Sequence, residues 1–180
     1  MERLSVPRPG AVLDGERWGR NGPVVILLHE GVADRRSWRA VAEAIADRAV
    51  VVGYDRRGFG ETPPSNEEFS HVDDLLAVVD TVSAAPVWLA GTSAGGGIAL
   101  DATMVAPERI AGLLLLSPAV SGAPEPTLDP DTARFERLLG EAEAKDDLEE
   151  TPASRPGCGW TGRLSQRAEW AVRSERSLSR

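Results

Sequence analysis

Four short apolar runs are the feature that most limits the folds open to this 180-residue chain. They lie at residues 24–28, 49–54, 86–90 and 110–116. The first two are continuous and rich in β-branched residues, which is typical of strands buried on both faces of a sheet. Between the runs, apolar residues recur at the three- and four-residue spacing of helices, over residues 38–45, 72–82 and 93–105. Because strands and helices alternate, the sequence predicts an α/β fold with a mostly parallel sheet and helices on both faces.

Length, charge and composition narrow the classes of protein further. A chain of 180 residues predicts one domain with a core of its own. The net charge of −8 argues against binding to nucleic acid or to an anionic membrane surface. No apolar run approaches the roughly 20 residues that cross a bilayer, no secretory signal is visible, and the single Cys158 excludes an internal disulfide. We therefore expect a cytoplasmic protein.

The character of the chain changes after residue 120. Residues 1–120 form the predicted core, and residues 121–150 read as a loop followed by the start of a surface or cap helix over 132–148. Residues 151–180 hold six Arg and two Glu, whereas residues 1–150 hold 14 basic and 26 acidic residues. This reversal of charge predicts an aberrant tail produced by a frameshift, or alternatively a natural disordered tail.

A glycine-rich turn follows the third apolar run. Residues 91–95 read Gly-Thr-Ser-Ala-Gly, the G-x-S-x-G pattern of a nucleophile elbow, with a predicted strand before and a predicted helix after. In such an elbow the serine lies on a sharp turn, and strand and helix approach too closely for side chains at Gly91 and Gly95. The pattern predicts Ser93 as a nucleophile and the backbone N–H of Ala94 as an oxyanion donor.

The same turn has two other interpretations. The first is a tight packing turn without chemistry. The second is a phosphate-binding turn, since Gly91, Gly95 and Gly97 also spell G-x-x-x-G-x-G. Phosphate turns of that kind usually follow the first strand, and the short-chain dehydrogenases that use this spacing need Tyr followed four residues later by Lys. Tyr54 is the only tyrosine, and position 58 is Gly.

Residues 23–120 resemble the first two-thirds of an α/β-hydrolase. The segments that carry the resemblance are ILLHEGVADRRSW, YDRRGFGET, LAGTSAGGGIAL and APERIAGLLLLSPA, in the family's order. The resemblance implies that His29 shapes the oxyanion loop and that the N–H of Gly31 is the second oxyanion donor, although Glu30 replaces the usual Gly. Relatives that are dehalogenases or epoxide hydrolases use Asp in the place of Ser93. A serine there implies a small-molecule acyl substrate such as an ester, lactone or thioester, with no cofactor and no metal.

The catalytic base is the element that the sequence does not supply. In the resembled family the order is Ser, then acid, then His, but the two histidines, His29 and His71, both precede Ser93. His71 begins a predicted helix, where a cap by Ser70 or Asp73 is the simpler interpretation and the role of base the alternative.

The position of the acid is also left open. Glu125 and Asp129 follow the fourth strand, where some relatives place the acid, but neither is assigned. We therefore expect an incomplete α/β-hydrolase fold whose catalytic C-terminal part is missing or replaced, and a weak serine hydrolase. The alternative is a non-catalytic protein on the same fold that binds a small molecule or a partner. The oligomeric state is not predicted.

Overall fold

The computed structural model describes residues 1–124, 127 and 129–144. In this part of the chain one sheet contains six strands: β1 (Glu2–Arg8), β2 (Ala11–Trp18), β3 (Val24–Leu28), β4 (Val50–Tyr54), β5 (Val87–Thr92) and β6 (Ile110–Leu116). The helices are α1 (Arg39–Ile45), α2 (His71–Val82), α3 (Ala94–Val105) and α4 (Pro130–Ala144), with short 3-10 turns at Arg35–Trp38 and Pro107–Arg109.

The order of the strands across the sheet is β1-β2-β4-β3-β5-β6. β1 and β2 form an antiparallel hairpin, and β2 runs antiparallel to β4, while β4, β3, β5 and β6 are mutually parallel. The carboxyl ends of the four parallel strands therefore meet at one edge of the sheet, which is where open α/β sheets bind ligands. The predicted α/β fold with a mostly parallel sheet is confirmed.

Helices cover both faces of this sheet. On one face, α2 and α3 pack against the strands through buried side chains that include Leu75, Val78 and Ile98. On the other face, Ala42 of α1 lies in a smaller buried cluster with Trp18, shared with side chains of β3, β4 and β5. The sheet is thus held between two apolar layers, and the loops at its carboxyl edge start from fixed positions.

Strand β6 is an edge strand in the described part of the chain, and its apolar side chains are only partly covered. Leu114 and Leu116 are 61% and 45% exposed, and Trp88 on the neighbouring β5 is 46% exposed. Trp88 pairs with Gly112, where an added Cβ would lie 2.4 Å from the indole Cζ3. The absence of a side chain at Gly112 is what gives the indole ring its place on this face.

The chain divides after Val120, and Met1–Val120 form one compact unit. The described part of the remainder holds α4, which begins two residues before the helix predicted over 132–148. The end of that predicted helix and the predicted aberrant tail at 151–180 lie outside the described residues, so both stay predictions. Over residues 1–124, 127 and 129–144, none of the helices combines the length and the apolar character that crossing a membrane requires.

Candidate functional site

Ser93 lies in the turn between β5 and α3 and has a backbone conformation that is rare for a residue with a side chain. Its φ is 49° and its ψ is −118°. The Ser93 N–H donates to the Leu116 carbonyl at 3.0 Å, and the Ser93 carbonyl accepts from the N–H groups of Gly97 and Ala119 at 3.1 and 2.9 Å. These bonds to β6 and the loop after it hold the strained turn in place.

The glycines of this turn are explained by close backbone contacts. An added Cβ at Gly91 would lie 2.5 Å from the carbonyl oxygen of Gly95, and one at Gly95 would lie 2.4 Å from that of Leu28. At Gly96, an added Cβ would lie 2.9 Å from the Cβ of Pro118. Each of these distances is below 3.0 Å, so no side chain fits without moving backbone or proline atoms. The packing demands glycine at positions 91 and 95, as the elbow pattern predicts.

Gly31 lies beside the elbow. A Cβ built on Gly31 would lie 3.7 Å from the Cβ of Ala94, which is an ordinary van der Waals contact. Gly31 does not have a positive φ. Neither crowding nor backbone conformation therefore requires glycine at this position, and what glycine provides there is open space next to Ala94. The structure thus brings together the two residues whose N–H groups the sequence suggests as oxyanion donors.

His29 follows β3, and its imidazole is completely buried. Its Nδ1–H donates to the Glu30 carbonyl at 2.7 Å, and its Nε2 accepts from the backbone N–H of Arg56 at 3.2 Å. Burial, and next the nearby Arg56 charge, lower the pKa of His29 from 6.5 to about 3. A neutral imidazole with both nitrogens engaged is a structural group of this loop, and it has no nitrogen left to accept a proton from Ser93.

Asp55 is the first of three consecutive charged residues after β4, and it is completely buried. It accepts hydrogen bonds from the backbone N–H groups of Arg35 and Glu61, each at 2.8 Å, and from the Arg35 guanidinium. An added Cβ at Gly60, whose φ is +51°, would overlap the Asp55 carboxylate. Burial raises the pKa of Asp55, and the two N–H groups oppose that shift. Asp55 therefore stabilises the loop that follows β4 and holds the turn at Arg35 in place.

Arg57, the third of these residues, is paired with Asp74 of α2. Two hydrogen bonds of 2.7 and 2.9 Å join the guanidinium to the carboxylate, and both side chains are at least 97% buried. The same guanidinium donates to the Pro9 carbonyl at 2.7 Å and lies over the Phe69 ring, while Arg8 donates to Asp74 at 2.9 Å. The pair thus ties the loop after β4 to α2 and to the β1–β2 hairpin.

Arg56, the middle residue, is the feature that sequence reasoning missed. It is 4% exposed, and its Nη2 donates to the Glu30 carbonyl at 2.8 Å. The segment YDRRGFGET resembles the family's Asp-x-Arg-Gly loop, in which position 56 is the one that any residue can occupy, so no motif marks Arg56. The only signal available in the sequence was that Arg56 is a second arginine directly before Arg57.

The second histidine lies at the start of α2, on the connection from β4. Ser70 caps this helix, since its Oγ accepts from the Asp73 N–H at 3.3 Å, and the predicted capping role is thereby confirmed. The His71 ring makes an edge contact with Phe69 at 5.0 Å between centroids. In the sheet, β3 alone separates β4 from β5.

The structure describes only one of the two carboxylates considered for the catalytic acid. Asp129 accepts from the N–H groups of Asp131 and Thr132 at the start of α4, and the Thr132 hydroxyl lowers its pKa. Glu125 lies outside the described residues. Among the side chains that the structure describes, those of His, Cys, Asp and Glu form no group of three that could hold a metal ion.

Comparison with known proteins agrees with this geometry. The family model described as alpha/beta hydrolase fold matches residues 23–146. The lipase LipV of Mycobacterium tuberculosis is 29% identical over 143 residues, which cover 69% of this chain and 54% of that protein. The putative carbamate hydrolase RutD of Caulobacter vibrioides is 32% identical over 127 residues, which cover 65% and 46%. The chain thus spans about half the length of these curated relatives.

A solved structure shows the same fold. An alpha/beta hydrolase from Sphaerobacter thermophilus superposes with a TM-score of 0.64 at 23% identity, covering 95% of this chain and 73% of that one.

Proposed function

The chain belongs to the alpha/beta hydrolase fold family, and from that membership we propose that it is a serine hydrolase acting on an ester, lactone or similar acyl bond, with Ser93 as nucleophile. The observation that carries the proposal is the strained turn at Ser93, with φ 49°, between a parallel strand and a helix N-terminus. Backbone strain of this kind is concentrated at active sites and ligand-binding sites. The relatives named as a lipase and a carbamate hydrolase support carbonyl chemistry of this class.

The proposed reaction has two halves. The Ser93 Oγ attacks the carbonyl carbon and loses its proton, and the carbonyl oxygen becomes an oxyanion that accepts hydrogen bonds from the Gly31 and Ala94 N–H groups. The tetrahedral intermediate expels the protonated leaving group and leaves an acyl ester on Ser93. Water then attacks that ester, and the acid product departs while Ser93 regains its proton.

We infer that neither of the chain's two histidines is the proton acceptor for Ser93. His29 has both nitrogens engaged and a pKa of about 3, and the other histidine begins α2. We propose that the 180 residues supply the nucleophile and the oxyanion donors but not the base, so that the chain by itself acylates slowly and turns over weakly.

The test is acylation by p-nitrophenyl acetate followed by mass spectrometry of the intact chain and of its peptides. The single Cys158 is first changed to Ser, because its thiol would itself be acetylated. In that background we expect an acetyl group on Ser93, and none at position 93 of the Ser93→Ala variant. Ser117→Ala is a matched control, because Ser117 also has a positive φ of 44° and also follows a parallel strand. Labelling that persists unchanged in Ser93→Ala would overturn the proposal.

The missing base favours a second candidate, a non-catalytic protein that binds a small acyl compound beside Ser93. This candidate predicts a folded chain that binds a short-chain ester or its acid, with no adduct on Ser93. Isothermal titration with the acid product, set beside the labelling experiment, separates the two candidates.

A further inference from the structure

Arg56 is a buried cation without an acidic partner. Among the described residues no carboxylate lies within ion-pair distance of it, and its Nε has no hydrogen-bond partner. The other two buried arginines of the described chain each have a carboxylate partner: Arg35 is paired with Asp55, and Arg57 with Asp74. Burial lowers the pKa of Arg56 to about 10, and it outweighs the Glu30 carboxylate, which favours the charged form from beyond ion-pair distance. Burial of this charge is therefore costly for folding, and its presence here needs another reason.

The contacts that Arg56 does make converge on one backbone carbonyl. Its Nη2 donates to the Glu30 oxygen at 2.8 Å, and the His29 Nδ1–H donates to the same oxygen at 2.7 Å. The guanidinium carbon lies 4.4 Å from the centre of the Phe59 ring, whose face stabilises the cation. Two donors thus hold the Glu30 carbonyl.

Fixing this carbonyl also fixes the next N–H group. In a planar trans peptide the C=O and the N–H point in opposite directions, and the N–H that opposes the Glu30 carbonyl belongs to Gly31. Gly31 lacks a side chain, and even an added Cβ would meet nothing closer than the Ala94 Cβ, at 3.7 Å, so side-chain packing does not orient this residue. The bonds to the Glu30 carbonyl therefore set the direction of the Gly31 N–H.

We propose that Arg56 is a positioning residue for the oxyanion hole: by holding the Glu30 carbonyl it directs the Gly31 N–H away from itself and toward the oxyanion site beside Ala94. This proposal rests on the proposed function of Ser93. A cation held close to the oxyanion loop also favours the negative charge that develops there, and that accounts for a buried arginine without a carboxylate.

The test separates attack that needs an oxyanion hole from attack that does not. Ser93→Cys provides a nucleophile that needs little help from a base, in a background where the single native Cys158 is changed to Ser. Acetylation of the introduced thiol by p-nitrophenyl acetate forms an oxyanion, whereas its alkylation by iodoacetamide displaces iodide and forms none. The measured quantity is the ratio of the two rate constants, with N-acetylcysteine as the reference in solution.

We expect the ratio for the Ser93→Cys parent to exceed that of N-acetylcysteine by roughly 100-fold, since one well-placed oxyanion donor accounts for about that factor. Adding Arg56→Met should lower the ratio roughly 10- to 100-fold while the alkylation rate stays the same. Arg36→Met is the control, because Arg36 is 72% exposed, and its ratio should not change.

The outcomes distinguish the two proposals. A parent ratio equal to that of N-acetylcysteine would refute the oxyanion site itself, and with it the proposed function. A high parent ratio that is unchanged in Arg56→Met would refute the role of Arg56 alone.

Two further measurements guard against a variant that does not fold. Arg56→Lys keeps the charge and one donor, so we expect an intermediate ratio. In the unchanged chain the Nη protons of Arg56 should exchange with water at least roughly tenfold more slowly than those of Arg36, because a buried hydrogen bond protects them. Equal exchange would show that the bond to Glu30 is not held.

Discussion

The carbonyl oxygen of Leu28, at the end of β3, occupies the space that a side chain on Gly95 would need. Because an added Cβ would lie 2.4 Å from that oxygen, Gly95→Ala must push α3 away from the sheet. We expect a loss of roughly 3 kcal/mol or more in the free energy of unfolding, measured by urea denaturation. Gly31→Ala is the matched control, with its nearest contact at 3.7 Å and an expected change within about 1 kcal/mol. Equal losses in the two variants would contradict this account of the turn.

The backbone strain at Ser93 should lower the free energy of unfolding by a measurable amount. Ser93→Gly removes the side chain that disfavours φ 49° and ψ −118°, whereas Ser93→Ala keeps a Cβ and therefore keeps the strain. We expect the glycine variant to be more stable than the alanine variant by roughly 1 kcal/mol, after the entropy that glycine adds to the unfolded chain. Thermal and urea unfolding of the two variants give the comparison, and a less stable glycine variant would show that the turn is relaxed.

The buried His29 makes the fold sensitive to acid. Its pKa of about 3 in the folded chain lies below the value of about 6.5 in the unfolded chain, so the unfolded chain takes up the proton first as the pH falls. The stability of the fold is unaffected by this group above pH of about 6.5, and it decreases as the pH falls from there toward about 3. Between pH of about 7.5 and 5 we expect a loss of roughly 2 kcal/mol.

Two measurements check this acid sensitivity. In the NMR spectrum, the His29 Cε1 proton should not titrate between pH of about 5 and 8. The variant His29→Gln should unfold with a shallower dependence on pH over the same range, whatever its stability at pH of about 7. A midpoint near 6.5 for His29 would refute the prediction.

Removing one partner of the buried pair between Arg57 and Asp74 should be costly. Asp74→Asn leaves the Arg57 guanidinium buried without a carboxylate, and we expect a loss of about 3–5 kcal/mol. Asp80→Asn is the control on the same helix, since Asp80 is 63% exposed where it contacts Arg109, and its expected cost is about 0–1 kcal/mol. Urea denaturation of both variants tests the difference, and similar midpoints would contradict it.

The chain should hydrolyse activated esters slowly. Loss of the histidine in a serine protease lowers turnover by roughly 10⁶, and we expect a comparable deficit here. Added imidazole should raise the rate of p-nitrophenyl acetate hydrolysis by the chain beyond its effect on Ser93→Ala, because it supplies a proton acceptor. Turnover near 10 per second that depends on Ser93 and needs no imidazole, about the median for enzymes, would show that a base is present after all.

Periodicity was sufficient to predict the parallel part of the fold. The four apolar runs became β3, β4, β5 and β6 because runs of that length and composition fit a sheet covered on both faces. The turn at Ser93 was predictable too, because the elbow pattern specifies glycine at 91 and 95. The crowding at Gly91 comes from Gly95 and Gly96, which are close in sequence, whereas the crowding at Gly95 comes from the distant Leu28 carbonyl, so only the pattern could predict it.

Contacts between distant segments were harder to predict. The sequence alone did not show that the β1–β2 hairpin joins the sheet next to β4, because strand order depends on pairing across long stretches of chain. It also did not show that Arg56 reaches the Glu30 carbonyl, 26 residues away. Neighbouring arginines look alike in a sequence, and only their directions in the fold separate the one paired with Asp74 from the one that holds a carbonyl.

The three side chains after β4 have a consequence for anyone who redesigns this loop. Asp55 fastens the turn at Arg35, Arg56 fastens the Glu30 carbonyl, and Arg57 fastens α2 and the hairpin. One tripeptide is therefore a junction of three separate segments, and an insertion inside it would shift all three at once. Residues 63–68 carry none of these three ties, and they meet the rest of the fold at Ser65 and Glu67, beside the hairpin turn at Gly10. This stretch is therefore the place where loops could be exchanged, tags inserted or a new binding segment grafted at the least cost to the elbow.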